Sequence, residues 1–123
     1  MRALTLMLTL LAGTATAQEV VREEIRRTPV PGSDTMEVVV MRLTIEPGAT
    51  MALHSHHGDE HAVVISGGVA RLPNGQEREF PVGATLYFPQ GSVHGGLTAV
   101  DAPLVAITTS IVAVGKPLVI PAE

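Results

Sequence analysis

The spacing of turn-forming residues constrains the fold of this chain more than any other feature. Gly, Pro, Asn and Asp interrupt the sequence roughly every eight to twelve residues, and the segments between them are rich in β-branched side chains. Examples are Val38-Val39-Val40 and Val63-Val64-Ile65. This spacing is typical of an antiparallel β-sandwich or β-barrel. We predict strands over 36–46, 50–56, 60–66, 69–72, 77–80, 84–88, 93–99 and 103–112.

Local signals add detail at three places. Asn74-Gly75 predicts a tight hairpin, because both residues tolerate positive φ. The charged segment 19–27 is compatible with a short helix or with an edge strand, and the tail 116–123 with a final strand or with a cover over an open edge. We find no repeat of fixed period and no linker, so the sequence predicts one domain over 18–123.

Residues 1–17 predict a secretory signal peptide. Arg2 gives a positive start, an apolar run follows from Leu4 to Leu11, and Ala15-Thr16-Ala17 forms a cleavage site of small residues. The apolar run is too short to span a bilayer. The alternatives are a membrane anchor or a first strand. On the signal-peptide interpretation the mature chain begins near Gln18, in the periplasm or outside the cell.

Composition narrows the choice of partners. The chain has no cysteine, so no disulfide can form even if the protein is exported. We therefore expect the hydrophobic core to stabilise the fold, with help from a metal and from dimerisation. The net charge of −4 comes without any basic cluster, which gives no electrostatic reason to bind nucleic acid or anionic lipid. With three aromatic residues (Phe80, Tyr87 and Phe88), a base-stacking surface is also disfavoured.

Four side chains predict a metal site. His54 and His56 are two apart, so in a strand their imidazoles point to the same face. Glu60 begins the returning strand and can face the same interior, and His94 follows a second turn. Neutral imidazole suits iron, nickel, copper and zinc, and a carboxylate also accommodates manganese. Three nitrogens and one oxygen leave coordination positions open for water or substrate, as a catalytic site requires. The alternative is that each histidine is a polar surface residue.

The same segments carry a family resemblance. The first fits G-x5-H-x-H-x3-E-x6-G at Gly48, His54, His56, Glu60 and Gly67, and the second fits G-x5-P-x-G-x2-H at Gly83, Pro89, Gly91 and His94. These patterns resemble the two motifs of the cupin superfamily, with Thr98 where the usual pattern has Asn. The resemblance implies an all-β, single-domain jelly-roll barrel with a core over about 36–112 and the metal inside its mouth. It leaves function open, because this fold carries many activities.

Neighbouring residues complete the predicted site. His57 and His61 are more simply solvent-facing or hydrogen-bonded than ligating, although His57 could act as a proton shuttle. Alternation predicts that Tyr87 points outward and that four apolar residues point inward: Ala62, Val64, Leu86 and Phe88. A mostly aliphatic pocket suits a small apolar or amphiphilic organic ligand.

Two classes of function remain open. The first is a metal-dependent enzyme, which by resemblance could be a quercetinase-like dioxygenase, a lyase or an isomerase, with Glu60 as ligand and proton acceptor. The second is a non-catalytic module that binds a metal or a small molecule; a weaker third is an interaction protein stabilised by a metal. The ion would be one divalent transition metal, Fe, Mn, Ni, Zn or Cu. The resemblance also implies a homodimer, for which segments 19–46 and 103–120 are the candidate surface.

Overall fold

The computed structural model describes residues 19–123, so the predicted signal peptide and Gln18 lie outside the described residues. The described chain forms ten β-strands and no helix, which confirms the all-β class. No helix in this part of the chain could therefore cross a membrane. The strands are β1 Val20–Pro29, β2 Met36–Ile45, β3 His54–Ser55, β4 Glu60–Ser66, β5 Gly68–Arg71, β6 Glu77–Phe80, β7 Thr85–Phe88, β8 Thr98–Ala99, β9 Leu104–Ala113 and β10 Ile120–Pro121.

The strands form three antiparallel sheets. The largest has the order β1-β2-β9-β4-β7, a second has the order β6-β5-β8, and β10 pairs with β3. Strands from the two larger sheets share one apolar core, which joins them into a barrel-like sandwich. Its buried members are Ile45, Ala49, Met51, Val64, Ala70, Phe80, Ala99 and Leu104.

Alternation along β4 decides which side chains reach the interior. Glu60, Ala62 and Val64 are buried, whereas His61 and Val63 on the same strand are exposed. A strand places successive side chains on opposite faces, so the run from Glu60 to Val64 sends every second residue toward the core. This register agrees with the sequence prediction and places a carboxylate on the inner face of the sheet.

A β-strand lies near each end of the described region. The segment predicted as either helix or edge strand is the edge strand β1, which pairs with β2. The tail adds β10, where Ile120 lies opposite Ser55. The predicted hairpin is also present: β5 pairs with β6, and Gly75 takes a φ of 83° in the turn between them.

Two predicted strands are shorter than expected. Segments 50–56 and 93–99 retain regular strand only at β3 and β8. Their backbones still bond to each other, from Met51 N to Leu97 O (2.9 Å) and from Gly96 N to Met51 O (2.7 Å). Gly95 and Gly96 interrupt the ladder, because both have positive φ (98° and 69°) and so leave the extended conformation.

Candidate metal centre

Backbone pairing brings the two histidine segments together. His54 and His94 exchange both backbone hydrogen bonds, at 2.8 and 2.9 Å, across an isolated antiparallel bridge. Residues directly opposite each other in such a bridge project their side chains to the same face. The ring centroids of His54 and His94 are accordingly 4.4 Å apart, although the residues are forty positions apart in sequence.

Glycine is required beside this bridge. Gly95 directly follows His94, and a Cβ at this position would lie 2.5 Å from Ala52 O and 3.1 Å from His54 Nδ1. A larger residue would therefore push the two histidine segments apart. The three motif glycines at the predicted bends, Gly48, Gly83 and Gly91, also take positive φ.

His56 and Glu60 complete the cluster from the first segment. His56 lies 4.9 Å from His54 between ring centroids and 5.0 Å from His94. The carboxylate of Glu60 faces the imidazoles of His56 and His94. Its Oε2 lies 3.3 Å from His56 Nε2, and its Oε1 lies 3.5 Å from His94 Nε2. Ser110 Oγ donates to Glu60 Oε2 at 3.3 Å. The four residues predicted as metal ligands thus meet at one place.

Backbone carbonyls fix the orientation of all three imidazoles. His54 Nδ1 donates to Ala52 O at 2.8 Å, and His94 Nδ1 donates to Ser92 O at 2.9 Å. His56 Nδ1 donates to the carbonyl of Leu118 in the C-terminal tail. An imidazole that uses Nδ1–H as a donor keeps its Nε2 lone pair free. Each histidine therefore presents Nε2 as its available ligand atom.

The donor set fits a cation. The Nε2 atoms of His56 and His94 are 3.2 Å apart, and one candidate ligand atom from each of the three histidines lies within 4.8 Å of the others. In the tautomer set by the carbonyls these nitrogens are lone-pair acceptors, and the adjacent carboxylate accepts as well. Acceptors this close repel unless a proton or a metal ion lies among them. Three imidazoles and one carboxylate are ligands that divalent transition metals accept.

The electrostatics of the cluster favour an ionised carboxylate. Without a bound ion, an imidazole that also carries a proton on Nε2 can donate to Glu60. Burial opposes the charge of Glu60, but hydrogen bonds from His56 and His94 in that protonated form, and their positive charges, lower its pKa from 4.5 to about 2. Burial by itself would lower the pKa of His56. The hydrogen bonds to Glu60 and to the Leu118 carbonyl outweigh it and raise that pKa on balance. Burial lowers the pKa of His54, which favours the neutral form that a metal requires.

The cluster forms one wall of a cavity of about 280 Å³ between the sheets. The four residues predicted to point inward, Ala62, Val64, Leu86 and Phe88, all line it. Most of the other lining side chains are aliphatic or methionine, in agreement with the mostly aliphatic pocket that was predicted: Met41, Leu43, Ile45, Met51, Leu72, Leu97, Leu104, Val105, Ala106, Leu118 and Val119. The site therefore combines a polar cluster with an apolar chamber of a size suited to a small organic molecule.

Of the residues beside the cluster, His61 and Tyr87 take the predicted outward orientation and Phe88 the predicted inward one. His61 is exposed and stacks on Tyr87 with a centroid distance of 4.8 Å, so it points away from the cavity. His57 is half-buried and does not line the cavity. Phe88 lies parallel to the His94 ring at 3.8 Å, which restricts its rotation. Thr98, where the motif usually has Asn, bonds instead to Thr50 at 2.7 Å.

Sequence reasoning missed several residues of the site. Arg22 and Arg78 line the cavity, Ser110 bonds Glu60, and the Leu118 carbonyl holds His56. Ser110 could have been found, since it and Thr108 are polar residues two apart on the inward-facing side of β9, and both line the cavity. A backbone carbonyl leaves no trace in the sequence.

The family assignment follows from the match to a family model. The model described as "Cupin domain" matches residues 41–110, which is more than half of the chain and includes both histidine segments. The chain belongs to the cupin family. Curated proteins, by contrast, yield no match.

Solved structures agree with this assignment at the level of the fold. A cupin domain from Bordetella pertussis is 18% identical with a TM-score of 0.57, covering 79% of this cupin and 97% of that chain. An uncharacterised protein with a double-stranded β-helix domain from Klebsiella pneumoniae is 20% identical with a TM-score of 0.56, covering 89% and 90%. Similarity at this identity supports the jelly-roll fold and no specific activity.

A third neighbour is larger than this cupin. The DMSP lyase DddQ from Ruegeria pomeroyi is 18% identical with a TM-score of 0.62, and the match covers 90% of this chain and 57% of the lyase. This chain thus spans little more than half of that protein. The cupin described here has, in its own structure, a three-histidine cluster that could bind a metal ion.

Proposed function

We propose that this cupin is a metal-dependent enzyme that acts on a small organic substrate in the aliphatic cavity, in the manner of a dioxygenase. The carrying observation is that one ring nitrogen from each of His54, His56 and His94 lies within 4.8 Å of the others, beside the Glu60 carboxylate, at the wall of that cavity. These four residues would hold one divalent ion, Fe, Mn, Ni, Zn or Cu. When bound, such an ion supplies Lewis acidity and, if it is redox-active, electron transfer.

The residues of the chain would divide the remaining work. The carbonyl partners of the imidazoles hold the rings in fixed orientations, which lowers the entropic cost of binding an ion. The apolar walls bind the body of the substrate and exclude water from it. Among the described residues that line the cavity, Glu60 is the one carboxylate, so it is the candidate for accepting a substrate proton at Oε1 or Oε2.

A second function, non-catalytic binding of a metal or of a small chelating molecule, has one observation in its favour. Apart from the four candidate ligands, the titratable side chains that line the cavity are two arginines, Arg22 and Arg78. Arginine stays protonated and is a poor general base. A reaction that needs a second acid or base would find none among the described lining residues.

Elemental analysis and turnover distinguish the two functions. Protein purified from its native compartment is analysed for transition metals and then screened for oxygen uptake with catechols, flavonols and β-diketones. We expect about one metal ion per chain and uptake that is lost in His94→Ala but kept in His61→Ala, because His61 faces solvent. Bound metal without turnover over the whole panel would favour the binding module, and a protein without metal would refute the metal-dependent enzyme.

We further propose that the protein acts outside the cytoplasm as a homodimer. The leader-like sequence of residues 1–17 supports export. Exposed apolar side chains in the candidate surface, among them Val21, Ile25 and Ile111, support self-association. Cell fractionation with detection of the cleaved chain tests the first proposal, and light scattering on the purified protein tests the second.

A further inference from the structure

Arg22 lines the cavity and has no ion-pair partner among residues 19–123. It is on edge strand β1, where it pairs with Leu43 of β2, and Leu43 in turn pairs with Ala106 of β9. Leu43 and Ala106 both line the cavity, so the register sends the Arg22 side chain to the same inner face, and Arg22 lines the cavity too. It also borders, together with His54, a neighbouring hollow of about 240 Å³. Arg22 therefore lies close to the histidine cluster.

Two of the other arginines have ion-pair partners that give them a structural role. Arg27 pairs with Glu24 and Glu37, and Arg71 pairs with Glu77 on the adjacent strand. Among residues 19–123, no carboxylate lies within ion-pair distance of Arg22. Arg22 is exposed on edge strand β1, so a ligand can reach it from solvent.

The charge of the cavity is opposite to that of the chain. The whole sequence has a net charge of −4, yet within residues 19–123 the charged groups that line the cavity, the histidines aside, are Arg22, Arg78 and one carboxylate, Glu60. A divalent ion in the cluster would add two positive charges, of which Glu60 would balance one. The wall of an otherwise apolar chamber is thus positive, and such a wall attracts and retains anions.

We propose that the cavity binds a small organic carboxylate, whose apolar body contacts the aliphatic walls and whose carboxylate is bound by Arg22. A planar guanidinium offers two parallel N–H donors that match the two oxygens of a carboxylate. This inference rests on the proposed function for its site, since it names the class of substrate that the same cavity takes. Arg22 is the specificity-determining residue, and Arg78 adds to the positive field.

The test compares two probes of nearly the same shape, 4-methylpentanoate and 4-methylpentanamide, by isothermal titration calorimetry on the full chain as purified. Variants are Arg22→Gln, Arg22→Lys and, as a matched control, Arg42→Gln, which changes an exposed arginine on β2. We expect wild type to prefer the carboxylate, and Arg22→Gln to weaken carboxylate binding roughly tenfold to hundredfold while amide binding is unchanged. Arg22→Lys should lose less, because the charge remains and only the fork is lost.

Several results would overturn the inference. One is that wild type does not bind the carboxylate, or binds it no more tightly than the amide. Another is that Arg22→Gln loses no more carboxylate affinity than Arg42→Gln. A third is that inorganic phosphate competes for the cavity as well as the carboxylate does. Metal content is measured in the same samples. A wild type without metal would refute the proposed function, whereas a metal-loaded protein whose probe preference ignores Arg22 would refute the role of Arg22 alone.

Discussion

Replacement of Gly58 by alanine should destabilise the barrel at the point where the metal cluster is assembled. The φ of Gly58 is not positive, so alanine brings no backbone strain there. Its Cβ, however, would lie 1.5 Å from Ile111 O and 2.6 Å from the Ile111 carbonyl carbon. Because both contacts are backbone atoms, no side chain can rotate away, and the segment must separate from β9 by about 2 Å to reach ordinary contact.

The expected cost has two parts. Overpacking of this kind costs about 1–3 kcal/mol, and the separation also breaks the 3.0 Å hydrogen bond from Ile111 N to Asp59 O, worth about 0.5–1.5 kcal/mol. The free energy of unfolding should therefore fall by about 1.5–4.5 kcal/mol. Urea denaturation of metal-free protein, analysed by linear extrapolation, measures this loss.

A control separates this contact from the general cost of replacing glycine. Gly75 has positive φ and open space around its would-be Cβ, so Gly75→Ala should cost about 1–2 kcal/mol through backbone strain alone. It should leave metal retention intact, whereas Gly58→Ala should also weaken it, because Gly58 lies two residues from both His56 and Glu60. A Gly58→Ala variant within about 0.5 kcal/mol of wild type that retains its metal would refute the reasoning.

Three further predictions concern the cluster itself. His56→Ala should abolish metal retention on elemental analysis while His57→Ala keeps it, since only His56 lies in the cluster; equal losses would show the ligand set to be wrong. In metal-free protein the lowered pKa of Glu60 contributes up to about 3 kcal/mol to the free energy of unfolding above pH 4.5. Urea titrations should show this contribution being lost as the pH falls toward 2. A free energy of unfolding that does not change over that range would contradict the prediction. Deleting residues 117–123 removes the Leu118 carbonyl from His56, and chelator competition should then show roughly 10- to 100-fold weaker metal binding, while unchanged affinity would exclude a role for the tail.

The parts of this structure that sequence predicts are those encoded by local patterns. The two-residue period of β4 indicated which side chains face inward, and Asn74-Gly75 marked its hairpin correctly, because each depends on a few neighbouring residues. The motif spacing likewise grouped His54, His56 and Glu60, and the glycine-framed turn added His94. Which ion these residues bind, and whether they catalyse a reaction, stay predictions.

The parts that sequence did not predict depend on contacts between distant segments. Arg22 reaches the cavity only because β1 pairs with β2 in one particular register, and nothing within residues 19–27 specifies that register. The pairing of the tail with β3 is another long-range contact, in which Pro121 lies opposite His54. The predicted length of the strand over 93–99 was also wrong. Gly95 and Gly96 have positive φ, which interrupts the regular strand there.

The three carbonyls that orient the imidazoles are not equivalent, and the difference bears on how the site holds an ion. Ala52 and Ser92 each lie two residues before the histidine that they bind, so these contacts persist whenever the local loop is formed. Leu118 lies 62 residues from His56, in a tail held by the short strand β10. Fraying of that tail would release His56 while the other two imidazoles stayed in place. Tail order and metal retention should therefore be coupled, with His56 as the ligand through which one affects the other.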